Sequence, residues 1–125
     1  MTKPEDNYGF RFKDWDIYKD ARVLRIDLQK LLKKLPKEEQ FALVDQTRRS
    51  LLSIVLNIAE GSKKNSDKDT RLYINRAQTS LDEVIACLDC ALDNQYITRE
   101  EYDHALTQGS SLAKRLQGFN TYLKP

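Results

Sequence analysis

Apolar positions recur along most of this chain at intervals of three and four, the spacing that gathers side chains on one side of an α-helix. From Ile17 the series runs through Ala21, Leu24, Leu28, Leu31 and Leu35, a heptad seam predicting a helix over about residues 14–34. Asp14 is its expected N-cap, Lys33 and Lys34 suit the dipole of its last turn, and Pro36 stops it. A second helix, over 37–60, has Glu38 and Glu39 in its first turn and an apolar stripe through Val44, Leu51, Ile54, Val55 and Ile58. Gly61 stands where a left-handed residue is expected to end it. Ser66 with Asp69 resembles a capping box and opens a third helix over 66–93, with a seam through Tyr73, Ala77, Ser80, Val84, Leu88 and Ala91, widened by Leu81 and Cys87. Asn94 is the expected left-handed residue at its end. Thr98 and Glu101 form a complete capping box for a fourth helix over 98–123. Its core side is Tyr102, Leu106, Leu112, Leu116, Phe119 and Leu123, and Gly109-Ser110-Ser111 leaves room for close approach of another helix.

Four amphipathic helices joined by short links predict an all-α fold, an antiparallel up-down-up-down four-helix bundle over residues 14–125. Residues 1–13 mix Pro, Gly and charge without a period and are expected as a flexible arm, although Tyr8, Phe10 and Phe12 could dock on the bundle. Together with Trp15, the two phenylalanines could form an apolar patch offered to another subunit. No internal repeat or low-complexity tract argues for a second domain.

The second helix has an unusual polar side. Where a solvated face carries loosely chosen Lys and Glu, it has Gln46, Arg49, Ser53, Asn57 and Glu60, a row of short or hydrogen-bond-capable groups suited to a packed polar interface. The expectation is a network in which these residues pair with Ser80 and Glu83 of the third helix, or with a neighbouring subunit, and fix register. The competing reading is a groove for a ligand or partner.

Charged residues make up 32% of the chain and there are only four Gly and three Pro, which fits helices, while a net charge of +2 is too small to announce a nucleic-acid binder. Local clustering changes that picture. Lys63, Lys64, Lys68, Arg71 and Arg76 gather near the second inter-helix turn, and Lys33, Lys34 and Lys37 near the first. Repeated around a ring, the first cluster would make a rim that attracts phosphate backbones, so these five residues are the candidate nucleic-acid contacts. Tyr73, Tyr102, Phe119 and Tyr122 read as fillers of a core or interface.

Catalytic chemistry is poorly supported. His104 is the one histidine, Cys87 and Cys90 read as buried inert thiols, and no nucleophile, metal-ligand set or phosphate loop has the required spacing. No enzyme, metal or cofactor is expected, and no small-molecule substrate is evident. Without a leader-like N-terminus or an apolar run long enough to span a bilayer, a cytoplasmic protein with no membrane partner is expected.

The stretch Gln46-x-x-Arg49-x-x-x-Ser53-Ile54-x-x-Asn57-Ile58-Ala59-Glu60-Gly61, after Leu35-Pro36-Lys37-Glu38-Glu39 and before Ser66 and Tyr73-Ile74-x-x-Ala77-x-x-Ser80-Leu81-x-Glu83, resembles the 23S rRNA intervening-sequence protein family. The resemblance spans about residues 12–123, and its specific part is Asn57-Ile58-Ala59-Glu60-Gly61. It implies a small bacterial four-helix bundle assembling into a homopentameric ring, similar in fold to the accessory variability determinant of diversity-generating retroelements, with no enzymatic activity. The combined expectation is a homo-oligomeric scaffold or adaptor whose partners are RNA or a nucleic-acid-associated protein. The alternative is a protein–protein interaction module with no nucleic-acid role, and a third reading is a small-ligand binder in the bundle core.

Overall fold

A computed structural model describes residues 9–124. Among these residues the fold is all-α, with no strand. The four long helices are α1 (Asp16–Leu32), α2 (Asp45–Gly61), α3 (Asp67–Asp93) and α4 (Arg99–Tyr122). Helix α1 packs on α2 and α4, and α3 packs on α2 and α4. No described helix is long and apolar enough to cross a membrane.

The core follows the apolar spacing closely. Ile17, Ala21, Leu24, Leu28 and Leu32 of α1 meet Leu51, Ile54, Val55 and Ile58 of α2, with Ile74, Ala77, Leu81, Val84 and Leu88 of α3 and Ala105, Leu112 and Leu116 of α4. In α1 the seam shifts by one residue at its end, so that Leu32 is buried and Leu31 only half-buried. On α4, Leu106 and Phe119 lie at the edge of the core, and Ala105 and Gly109 take the central places. Gly109 does admit a neighbour: a β-carbon there would lie 2.9 Å from Ile85 Cδ1 of α3. Tyr122, expected as a filler, is 82% exposed because the seam turns inward through Asn120 and Leu123 instead. The thiols are also placed differently from the expectation. Cys87 is half-buried and Cys90 exposed, since Leu88 and Ala91 hold the inner side of that turn.

Helix ends depart from the expected bounds in instructive ways. Arg11–Asp14 form one 3₁₀ turn, so Trp15, without a side-chain cap, occupies the N-cap of α1 in place of Asp14. Aromatic packing orders this part of the arm: Phe12 stacks edge-on against Tyr18 at 4.8 Å, and Trp15 rests on Phe119 at 4.7 Å. Residues 1–8 of the expected arm, Tyr8 among them, lie outside the described residues. Helical structure after Pro36 begins as a 3₁₀ turn (Lys37–Glu39), widens into a π segment (Gln40–Val44) and becomes α-helical only at Asp45. Two caps match the sequence. Ser66 Oγ accepts from the Asp69 amide, and Thr98 and Glu101 bond reciprocally at the start of α4.

Two glycine-type expectations fail for a physical reason. Among the described residues only Gly9 and Gln95 have positive φ, so Gly61 is helical and Asn94 is not left-handed. At the end of α3 the amide of Tyr96 bonds to the Ala91 carbonyl and that of Gln95 to Leu92, a Schellman pairing that places Gln95 at the left-handed position. Gly61 is required for space. A β-carbon on it would lie 3.0 Å from Cβ of Tyr73, an atom fixed by the α3 backbone, and 3.5 Å from the Thr70 carbonyl oxygen.

These features set three expectations for thermal or denaturant unfolding. Gln95→Gly should stabilise the fold by about 0.5–1 kcal/mol through relief at φ 61°. Gly61→Ala should destabilise it by about 1–3 kcal/mol despite its higher helix propensity. Glu101 also bonds to Lys34 of the α1–α2 connection, and that contact, followed by the Thr98 amide, holds its carboxyl below the ordinary value of 4.5. Because the folded-state pKa is depressed, the contribution is present above that ordinary value and fades as pH falls through the lower one. The melting temperatures of wild type and Glu101→Gln should therefore converge on acidification; a gap that persists at pH 2–3 would contradict this.

Candidate functional site

The polar side of α2 lies against α3, and the structure separates the seven residues expected to form its network. Five come together. Ser80 Oγ donates to Ser53 Oγ at 2.8 Å, and Asn57 Nδ2 donates to the Ser53 carbonyl and hydroxyl at 2.9 and 3.0 Å. About two turns earlier on α2, Gln46 Nε2 lies 3.3 Å from Glu83 Oε2. The other two stand apart: Arg49 points outward and pairs with Asp45 on its own helix at 3.0 Å, and Glu60 is exposed at the end of α2. The split follows from helical geometry, since Arg49 and Glu60 project directly away from the buried stripe while Ser53 and Asn57 lean toward α3.

Three members of this seam escaped the sequence reading. Ser50, buried, joins Gln46 to Glu83, accepting at 3.3 Å and donating at 3.4 Å. Thr47 returns its hydroxyl to the Leu43 carbonyl at 2.6 Å. Thr70 Oγ1 donates to the Gly61 carbonyl at 2.9 Å, tying the end of α2 to the first turns of α3. Ser50 was legible in principle, lying four residues after Gln46 and three before Ser53. Thr70 had no sequence signal, because its role depends on how closely the two helices meet.

The five candidate nucleic-acid contacts also divide. Arg71 Nη1 donates to the carbonyls of Asn120 and Leu123 at 2.6 and 3.2 Å, filling orphan acceptors at the end of α4. Lys63 donates to the Gly9 carbonyl and lies 5.5 Å from the Phe10 ring centroid, while Arg11 reaches the Ser62 carbonyl at 2.9 Å; these contacts tether the arm. Lys64 Nζ and Arg76 Cζ lie 4.5 and 4.6 Å from the ring centroid of Tyr73, and neither side chain forms an ion pair or hydrogen bond among the described residues. Lys68 is exposed on the first turn of α3. Tyr73, read as a filler, is thus a half-exposed ring that gathers cations.

Elsewhere, α1 and α4 leave a groove of about 540 Å³ floored by Leu28, Leu31 and Ala105, with Lys30, Lys34 and Glu101 on its rim. No group of three or more His, Cys, Asp or Glu among the described residues is arranged to hold a metal ion.

Comparison with known proteins gives two similarities. The sequence pattern of the family described as 23S rRNA-intervening sequence protein matches residues 13–118. The fold is similar to the crystal structure of a protein with unknown function from the S23 ribosomal protein family of Bacteroides thetaiotaomicron VPI-5482. The two chains share 25% identity with a TM-score of 0.76, over 83% of this chain and 97% of the other. No curated protein matches the chain.

Because the seam's hydrogen bonds run within one chain, Asn57→Ala should lower stability by about 1 kcal/mol, and Arg49→Ala by less than about 0.5 kcal/mol. Neither should change the mass in solution. Dissociation of an assembly by Asn57→Ala would mean that the side chain also serves a neighbouring subunit.

Proposed function

The chain belongs to the 23S rRNA-intervening sequence protein family, and from that premise we propose that it is a non-enzymatic scaffold or adaptor. In this reading it is an antiparallel up-down-up-down bundle, assembled as a pentameric ring in the cytoplasm, with weak RNA association through the end that carries the α2–α3 turn. Contact order supports the topology: Asp20 pairs with Arg115 and Lys34 with Glu101, Ser53 meets Ser80 and Thr70 meets Gly61, and Asn75 meets Asn120.

The observation that carries self-association is an apolar stripe on the outside of α2 and its π segment. Phe41 is 94% exposed, Leu52 41% and Leu56 54%. Leu52 and Leu56, one turn apart, and Phe41 beyond the outward Asp45–Arg49 pair leave apolar surface that a lone chain exposes to water at a cost of about 25 cal/mol per Å². Since Ser53, Asn57 and Ser80 are bonded to one another, this stripe and not the polar row is the surface assigned to subunit contact. A ring needs a second, different surface on each chain to receive it.

A protein-binding role without nucleic acid is the second reading. The groove between α1 and α4 favours it, having an apolar floor and a charged rim of the kind that accepts an amphipathic helix. It is also favoured by the engagement of Lys63 and Arg71 within the fold.

Light scattering on nuclease-treated protein tests the proposal. The expected mass is that of about five chains at both low and high salt, falling toward that of a single chain in a Leu52→Glu, Leu56→Glu double variant that keeps its helical content. A wild-type monomer would overturn the ring.

A further inference from the structure

The geometry points to a phosphate clamp for single-stranded RNA formed by Lys64 and Arg76 around the ring of Tyr73, an inference that rests on the RNA-association reading above. Two like charges are held over one ring, with no carboxylate paired to either among the described residues. Their shared distance to a single centroid keeps them within about one Debye length, roughly 8–10 Å, so they act on an anion together. Uncompensated cations usually spread apart on flexible stems. Here three features of the fold collect them.

Gly61 lets Cβ of Tyr73 approach the end of α2, and the Thr70 hydroxyl bonded to the Gly61 carbonyl fixes that approach. The ring is thereby seated at the turn that carries Lys64. Arg76, three residues after Tyr73, lies one helical turn away on the same side of α3 and reaches the same ring. Cation–π attraction holds both groups without neutralising them.

The chemistry selects phosphate over base. A ring already attended by two cations is poorly available for stacking, so contact goes to the backbone and carries no sequence preference. A guanidinium and an ammonium at one ring supply a fork and a point charge, both suited to phosphodiester oxygens. Asp67 and Asp69 are acids close by in sequence that dilute the basic cluster at the start of α3, and Asp67 accepts from the Lys124 amide at 3.1 Å. Arg71 is excluded because it caps α4, and Lys63 because it tethers the arm.

The test uses the full-length protein and a fluorescent single-stranded RNA of about twenty nucleotides, titrated by anisotropy between 25 and 200 mM salt. In Lys64→Gln, Arg76→Gln the slope of log K against log salt should shrink by at least about 0.7 per cation removed, with affinity at 50 mM salt down roughly tenfold or more and the melting temperature unchanged. Tyr73→Leu should weaken binding several-fold, and Tyr73→Phe, which keeps the ring, should restore it. Arg71→Gln should lower the melting temperature and leave the slope alone. If wild type binds and the double variant binds with the same slope, the clamp is overturned while RNA association stands. If wild type shows no binding at 25 mM salt, the RNA reading itself falls. If polyglutamate competes as well as RNA and is lost with the same substitutions, the clamp serves an acidic protein segment and the nucleic-acid assignment is overturned.

Discussion

The end of α2 lies so near α3 that a β-carbon on Gly61 would stand only 3.0 Å from the stem of Tyr73. Much else depends on that contact. It brings the Thr70 hydroxyl onto the Gly61 carbonyl, sets the start of α3, and places the side chains of the two helices in register from there to Gln46 and Glu83. A larger residue would push the helices apart by a few tenths of an ångström, enough to stretch the 2.8 Å bond between Ser53 and Ser80. The close approach also decides where the Tyr73 ring sits, and with it the positions of Lys64 and Arg76.

The polar seam follows from the same proximity. Serines are short, so a Ser–Ser hydrogen bond across two helices forms only when the backbones are close. With Ser50 and Ser80 both buried, the hydroxyls need partners inside the hairpin and find them in Glu83 and Ser53. The consequence reaches the outer surface. Polar groups matched within the chain are not available to another subunit, which leaves Leu52 and Leu56 of α2 and Phe41 of the π segment before it as the residues there whose exposure is unexplained by the monomer.

The fold was largely legible because apolar spacing alone determines which side of each helix is buried, and a reciprocal cap such as Thr98–Glu101 is a local event. What escaped depends on distances between segments. Gly61 looked like a left-handed terminator, since sequence cannot distinguish a glycine needed for its φ from one needed for its lack of a side chain. The left-handed position fell to Gln95, one residue after the more suitable Asn94, because the Tyr96 amide reaches back to Ala91 and fixes where the turn closes. The π segment at Gln40–Val44 had no signature in the apolar pattern. At the candidate site, the row Gln46, Ser53 and Asn57 is visible as an anomaly, but charge counting does not show that Lys63 and Arg71 are engaged within the fold. Their partners are backbone carbonyls, which no sequence motif advertises. The cations at the Tyr73 ring are hidden from the sequence for the converse reason, as they come from a separate turn and from the next turn of its own helix.

The measurement that bears most directly on the primacy of the α2–α3 hairpin is native-state amide hydrogen exchange resolved by residue. If the close contact at Gly61 and the seam above it organise the bundle, amides of Ile54–Ala59 and Ile74–Leu81 exchange slowest, with opening free energies equal to that of global unfolding, and α1 and α4 open first. Faster exchange across these segments than in α1 or α4 would contradict that hierarchy and make the hairpin a passenger on a core held elsewhere.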